Sequence, residues 1–115
     1  MKKVMLIISL MILSIPAFAV NLECGGTEPF WGATVKDGLI TYLDPNMDKS
    51  IKLKVTSVDQ AAGYSINNII VIKTKFTRMT VVQGDCSDGM SDETYSHNAV
   101  FEKDGIVLGG CCNLK

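Results

Sequence analysis

Residue types able to do chemistry are concentrated in two short stretches of this chain. The first is Cys86-Ser87-Asp88-Gly89-Met90-Ser91-Asp92-Glu93-Thr94-Tyr95, preceded by Asp85. Four acids crowd it: Asp85, Asp88, Asp92 and Glu93. Such a crowd attracts cations, but the spacing is not that of an EF-hand loop, which needs Asp or Asn at alternate positions and then a glycine. Ser87, Asp88 and Ser91 can instead bond neighbouring backbone and stiffen a loop. The second stretch is Cys24-Gly25-Gly26-Thr27-Glu28-Pro29-Phe30-Trp31. Pro29 withholds a backbone donor. Phe30 and Trp31 are adjacent, so on a strand they point to opposite faces. One fills the core while the other stands at the rim, where an exposed aromatic anchors a partner. The predicted binding surface is Glu28, Phe30 and Trp31 with Asp85, Asp88, Met90, Ser91, Asp92 and Tyr95.

Support for catalysis is thin. Ser87 and Ser91 lie near acids, but no G-x-S-x-G elbow occurs. The single histidine, His97, stands near a strand start and reads as solvated surface rather than a general base. Glu28 and a loop aspartate are a formal carboxylate pair, yet nothing in the sequence sets their separation. The expectation is a protein that is not an enzyme, with no catalytic residue, no metal and no cofactor.

Cys24, Cys86, Cys111 and Cys112 complete the reactive inventory. No C-x-x-C occurs and His97 has no ligand-spaced partner, which disfavours zinc and redox chemistry. An even count in a small exported domain reads as two disulfides. Joining the neighbours Cys111 and Cys112 needs a strained geometry. Two pairings remain, and we take Cys24–Cys112 with Cys86–Cys111. Adjacent strand residues face opposite ways, so the C-terminal pair can staple two different neighbours.

The export reading comes from the N-terminus. Lys2 and Lys3 precede an apolar run, Val4 to Ile15, which Pro16 breaks and Ala17-Phe18-Ala19 follows. A short positive segment, an apolar run of this length and a small-x-small site predict a signal peptide cut after Ala19. Cys24 follows Glu23 and lies beyond the cleavage site, which argues against lipidation. The whole chain has 115 residues, 11 Lys+Arg and 12 Asp+Glu. Without residues 1–19 it has 96 residues, nine cations and twelve acids, a balance of −3. That size allows one domain, residues 20–115, and excludes the large α/β enzyme folds. The charge argues against a nucleic-acid partner. A core this small is marginal without covalent staples. We expect a monomer in the periplasm or secreted, with no stable membrane anchor after cleavage.

The elements that position these residues read as β almost throughout. Asp37-Gly38 signals a two-residue hairpin, pairing Val35 with Ile40 and Ala33 with Tyr42, with Trp31 on the same apolar face. Pro45 to Asp48 reads as a loop. Ile51, Leu53 and Val55 alternate with Lys52, Lys54 and Thr56, the period of a half-buried strand. Asp59 to Asn68 reads as a turn or loop. Ile69 to Val82 is one bent strand or two consecutive ones, and Gly84 to Tyr95 a polar loop. Asp104-Gly105 makes a second hairpin with Phe101 facing Leu108, Ala99 facing Gly110, and Cys112 inward. The expected fold is all-β, a small antiparallel barrel or sandwich of six to eight strands, with at most a single turn of helix.

Three ordered motifs then carry a resemblance. G-x-E-P-F-W (Gly26 to Trp31), C-x-D-x-M-S-D-x-x-Y (Cys86 to Tyr95) and G-C-C (Gly110 to Cys112) look like a group of small exported proteins and lipoproteins of the bacterial envelope. The resemblance spans nearly all of residues 20–115 and implies an envelope location and a compact β domain. It transfers no catalytic residue. The chain departs from the lipoprotein members in lacking a lipobox, and from many relatives in carrying His97 where a Pro-containing segment often follows the tyrosine. A looser similarity of class links it to the small β-barrel inhibitors of lysozyme, whose motifs it lacks. The expected function is binding of an envelope protein or small ligand, with inhibition of a cell-wall hydrolase or cation sensing as alternatives.

Overall fold

The computed structural model of the protein describes residues 20–44, 49–90 and 92–115. The signal peptide predicted over residues 1–19, the loop read over Pro45–Asp48, and Ser91 lie outside the described residues. Eight strands follow one another: β1 (Leu22–Thr27), β2 (Phe30–Lys36), β3 (Leu39–Leu43), β4 (Ser50–Gln60), β5 (Ile69–Thr74), β6 (Thr77–Ser87), β7 (Thr94–Lys103) and β8 (Ile106–Leu114). Each pairs antiparallel with the next, and β8 returns to β1, so the sheet closes into a barrel. Closure removes the free edges that an open sheet of this length would present.

The turns that fix the register are the ones predicted. Asp37 and Gly38 have φ of 54° and 76°, and Asp104 and Gly105 have 52° and 79°. Positive φ at both central positions is the hairpin geometry whose twist matches the strands it joins. Val35 pairs with Ile40 and Ala33 with Tyr42. Phe101 pairs with Leu108 and Ala99 with Gly110.

Between these fixed points the strands are longer than the sequence implied. Residues 69–87 form two strands, turned at Lys75-Phe76 and paired with each other. β4 runs on to Gln60 through a bulge between Val55 and Ser57. An inserted residue reverses the alternation, so the inward positions change from Leu53 and Val55 to Val58, which packs on the core. Half of the polar loop expected over Gly84–Tyr95 is strand: β6 continues to Ser87 and β7 begins at Thr94. No helix occurs among the described residues.

The core is the barrel interior. It is built from alternate residues, among them Leu22, Val35, Ile40, Ile72, Met79, Val81 and Phe101. Phe101 is its centre, stacked on Trp31 with centroids 5.8 Å apart and tilted against Tyr42 at 5.0 Å. The Tyr42 phenol is raised above its ordinary value of 10 by burial, then by Asp44 and Asp104. As pH climbs past 10 the unfolded chain releases that proton while the folded chain holds it, so stability declines. Denaturant midpoints should therefore fall between pH 9 and 11 by more in the wild type than in Tyr42→Phe.

Candidate functional site

The two chemistry-bearing stretches meet on the outside of the barrel, and the cysteines bring them together. Cys24 pairs directly with Cys112 across the β1–β8 seam, both side chains inward, and they form one disulfide. Cys111 therefore points outward, yet only 2% of it is exposed. It is covered by the end of the β6–β7 hairpin through the second disulfide, Cys86–Cys111. β6 and β8 are separated in the sheet by β7, so this bond ties the hairpin end back across its own neighbour. A register shift between Gln83 and Cys86 supplies the bend, with Gly84 at φ 156° inside it. Both predicted disulfides are formed, which is the chemistry of an oxidising compartment.

Beyond Cys86 the chain reaches β1. The Thr27 hydroxyl donates to the Asp88 carbonyl at 2.9 Å. This bond joins the Gly-rich stretch to the acidic one across 61 residues of sequence. Two shallow clefts flank it. One, about 270 Å³, is lined by Gly26, Thr27, Glu28, Ser87 and Asp88 with the Gly109–Cys111 backbone. The other, about 210 Å³, is lined by Glu23, Gly25, Thr27, Trp31, Asp88 and Tyr95.

Asp88 organises the loop. One carboxylate oxygen accepts the Met90 N–H at 2.9 Å and the other accepts the Tyr95 hydroxyl at 3.3 Å. The Ser87 hydroxyl accepts the Gly89 N–H at 3.1 Å. These are the side-chain-to-backbone turns expected of Ser and Asp. Desolvation first, then the carboxylates of Glu93 and Asp88, raise the Tyr95 phenol above its ordinary value, so it stays a neutral donor to Asp88. Met90 is left 68% exposed.

The aromatic pair divides between the faces. Phe30 is 63% exposed, beside the cis Glu28–Pro29 bond. Trp31 is 5% exposed, and what solvent reaches of it lies in the wall of the smaller cleft. Its ring lies in the barrel and its indole N–H donates to the Gly109 carbonyl at 3.0 Å. Two glycines make room for it. A Cβ on Gly26 would collide with the indole, and one on Gly110 would collide with the Gly25 carbonyl and approach the ring to 2.9 Å.

His97 also departs from expectation. It is 1% exposed, not solvated. Its Nε2 lies 2.8 Å from the Asn67 carbonyl, which only accepts, so Nε2 donates there, and Nδ1 shares a hydrogen bond with the Ser96 hydroxyl at 2.7 Å. Strand parity carried this signal: Phe101 and Ala99 inward put His97 inward too. Thr27 was missed because a loop-to-strand bridge over so long a separation leaves no local pattern.

The site holds carboxylates, a phenol and two exposed apolar side chains. No group of three or more His, Cys, Asp and Glu residues arranged to hold a metal occurs among the described residues. No protein-family model, curated protein or solved structure matches the chain.

Proposed function

We propose that this protein is a non-catalytic binding module of the bacterial envelope, exported by its N-terminal leader, that holds a basic partner protein at the tied-back hairpin. The supporting observation is the covalent and hydrogen-bonded anchoring of the acidic loop against β1 and β8. A loop fixed before binding loses little entropy on association. It offers Met90, and Phe30 on the joined stretch, as apolar anchors, with Glu28, Asp85, Asp92 and Glu93 as a charged surround. Carboxylates around apolar anchors select a partner of opposite charge and speed its encounter.

The same rigidity favours one second reading, inhibition of a basic cell-wall hydrolase whose cleft would receive the loop. Both readings are tested together. Wild type and the Phe30→Ala/Met90→Ala variant are titrated against c-, g- and i-type lysozymes, by calorimetry and by cell-wall lysis. Inhibition at micromolar concentration, weakened at least about tenfold in the variant, supports the hydrolase reading. If no lysozyme is inhibited, that reading falls. The wider proposal then rests on a partner cross-linked from envelope extract, and it fails if the variant captures the same partner equally well.

A further inference from the structure

On the side of the barrel away from the acidic loop the charge reverses. Residues 49–82 hold six cations, Lys49, Lys52, Lys54, Lys73, Lys75 and Arg78, against the single acid Asp59. Residues 83–104 hold six acids against the single cation Lys103. The fold gathers most of these cations on one face, with Glu102 and Asp104 at its edge. Lys52 and Lys54 alternate with the inward residues of β4, as do Lys73 on β5 and Arg78 on β6, so these four stand on the outer surface. Thr74 pairs with Val55, so Lys75 follows directly at the end of β5 that borders β4. β4 and β5 lie four strands round from the β8–β1 seam that carries the tied-back hairpin.

One contact on this face works against folding. Lys73 and Arg78 are directly opposite each other in the β5–β6 ladder, and like charges so placed are destabilising. Of the two, Lys73 makes an ion pair, with Asp59 at 3.7 Å, largely exposed to water. Lys75 and Arg78 form no ion pair among the described residues. The acids bordering this end are Glu102, in register with Arg78, and Asp104, which Lys103 already holds at 2.5 Å.

The basic face ends in apolar tips. Phe76, at the β5–β6 turn, is 71% exposed, with the Lys75 ammonium 5.4 Å over its ring. Ile106 and Val107, just after the β7–β8 turn, are exposed as well, and the two turns border one open cleft of about 550 Å³. A soluble polyanion would satisfy the cations but give Phe76, Ile106 and Val107 nothing apolar to enter. A bilayer interface takes both, because anionic headgroups attract Lys and Arg while aromatic rings rest at headgroup depth.

We infer that the β4–β5–β6 face, with Phe76 at its tip, docks reversibly on an anionic phospholipid surface. The chain from Val20 onward, which contains all eight described strands and both disulfides, is sedimented with vesicles of phosphatidylcholine alone or in equimolar mixture with phosphatidylglycerol. Binding is expected only to the mixed vesicles and weakens as salt is added. Lys75→Glu with Arg78→Glu lowers the partition coefficient by at least about thirtyfold, the loss expected from the two cations alone before the added repulsion of two carboxylates. Phe76→Ser lowers it by about tenfold without changing charge. Arg78→Glu relieves the clash with Lys73 but sets a like charge against Glu102, so a melting curve checks the fold of the double variant. Lys75→Gln with Arg78→Gln, which adds no new clash, is expected to weaken binding in the same direction. Equal binding to both vesicle types, no binding to either, or full binding by the double variant each overturns the inference. So does binding of soluble polyglutamate with no vesicle binding, which would assign the face to an acidic protein.

Discussion

Replacing Cys24 and Cys112 together by alanine lowers the free energy of unfolding by about 4.6 kcal/mol, on the chain-entropy estimate for the 88-residue separation that this bond closes. Most small domains have only about 5–15 kcal/mol in all, so the variant sits at the margin of folding at 37 °C. The same calculation for Cys86 and Cys111, 25 residues apart, gives about 3.5 kcal/mol. Guanidinium unfolding without reductant measures both, with the single Trp31 as reporter. The two losses differ in kind as well as size. Cys24–Cys112 lies inside the barrel seam, whereas Cys86–Cys111 ties down the hairpin end from outside. The second variant should keep its Trp31 emission and lose loop protection in hydrogen exchange. A Cys24/Cys112 variant as stable as the wild type would show that the β1–β8 ladder closes the barrel without help.

Trp31→Ala costs about 3–5 kcal/mol, whereas Phe30→Ala, one residue away, changes stability by less than about 0.5 kcal/mol. The contrast follows from which face each ring takes. Trp31 stacks on Phe101, donates to Gly109 and fills the space left by Gly26 and Gly110. Its removal leaves a cavity and a carbonyl without its donor. Phe30 faces outward. If binding is lost in Phe30→Ala while the denaturation midpoint stays fixed, the outward ring belongs to the surface rather than to the core.

Much of the architecture was legible because two Asp-Gly turns and the period-two pattern pointed the same way. Once Val35 opposes Ile40 and Phe101 opposes Leu108, one face of four strands is determined, and the register follows. The misread segments are those where the alternation breaks. Bulges at Val55/Ser57 and Gln83/Cys86 shift the parity. Ser and Asp residues that favour loops lie at strand ends, where pairing with β7 outweighs their local preference. The tie between the acidic hairpin and β1 was legible through the cysteines, whose pairing requires it. Trp31 lies on the inward face with Ala33 and Val35, as the hairpin parity predicts, but the pocket for its indole left no local signal because Gly26 and Gly110 carry no side chain to announce it.

A ring joined at its seam has no privileged beginning. β1 and β8 lie side by side, the Lys115 N–H donates to the Asn21 carbonyl at 3.0 Å, and the Lys115 ammonium sits 3.2 Å from Glu23. A linker of a few residues from Lys115 to Val20, with the chain reopened between Asp37 and Gly38, would preserve every ladder and both crosslinks. Such a circular permutant would carry its new ends on a solvent-facing hairpin, where fusions and surface tethers could be attached without disturbing either the acidic or the basic flank.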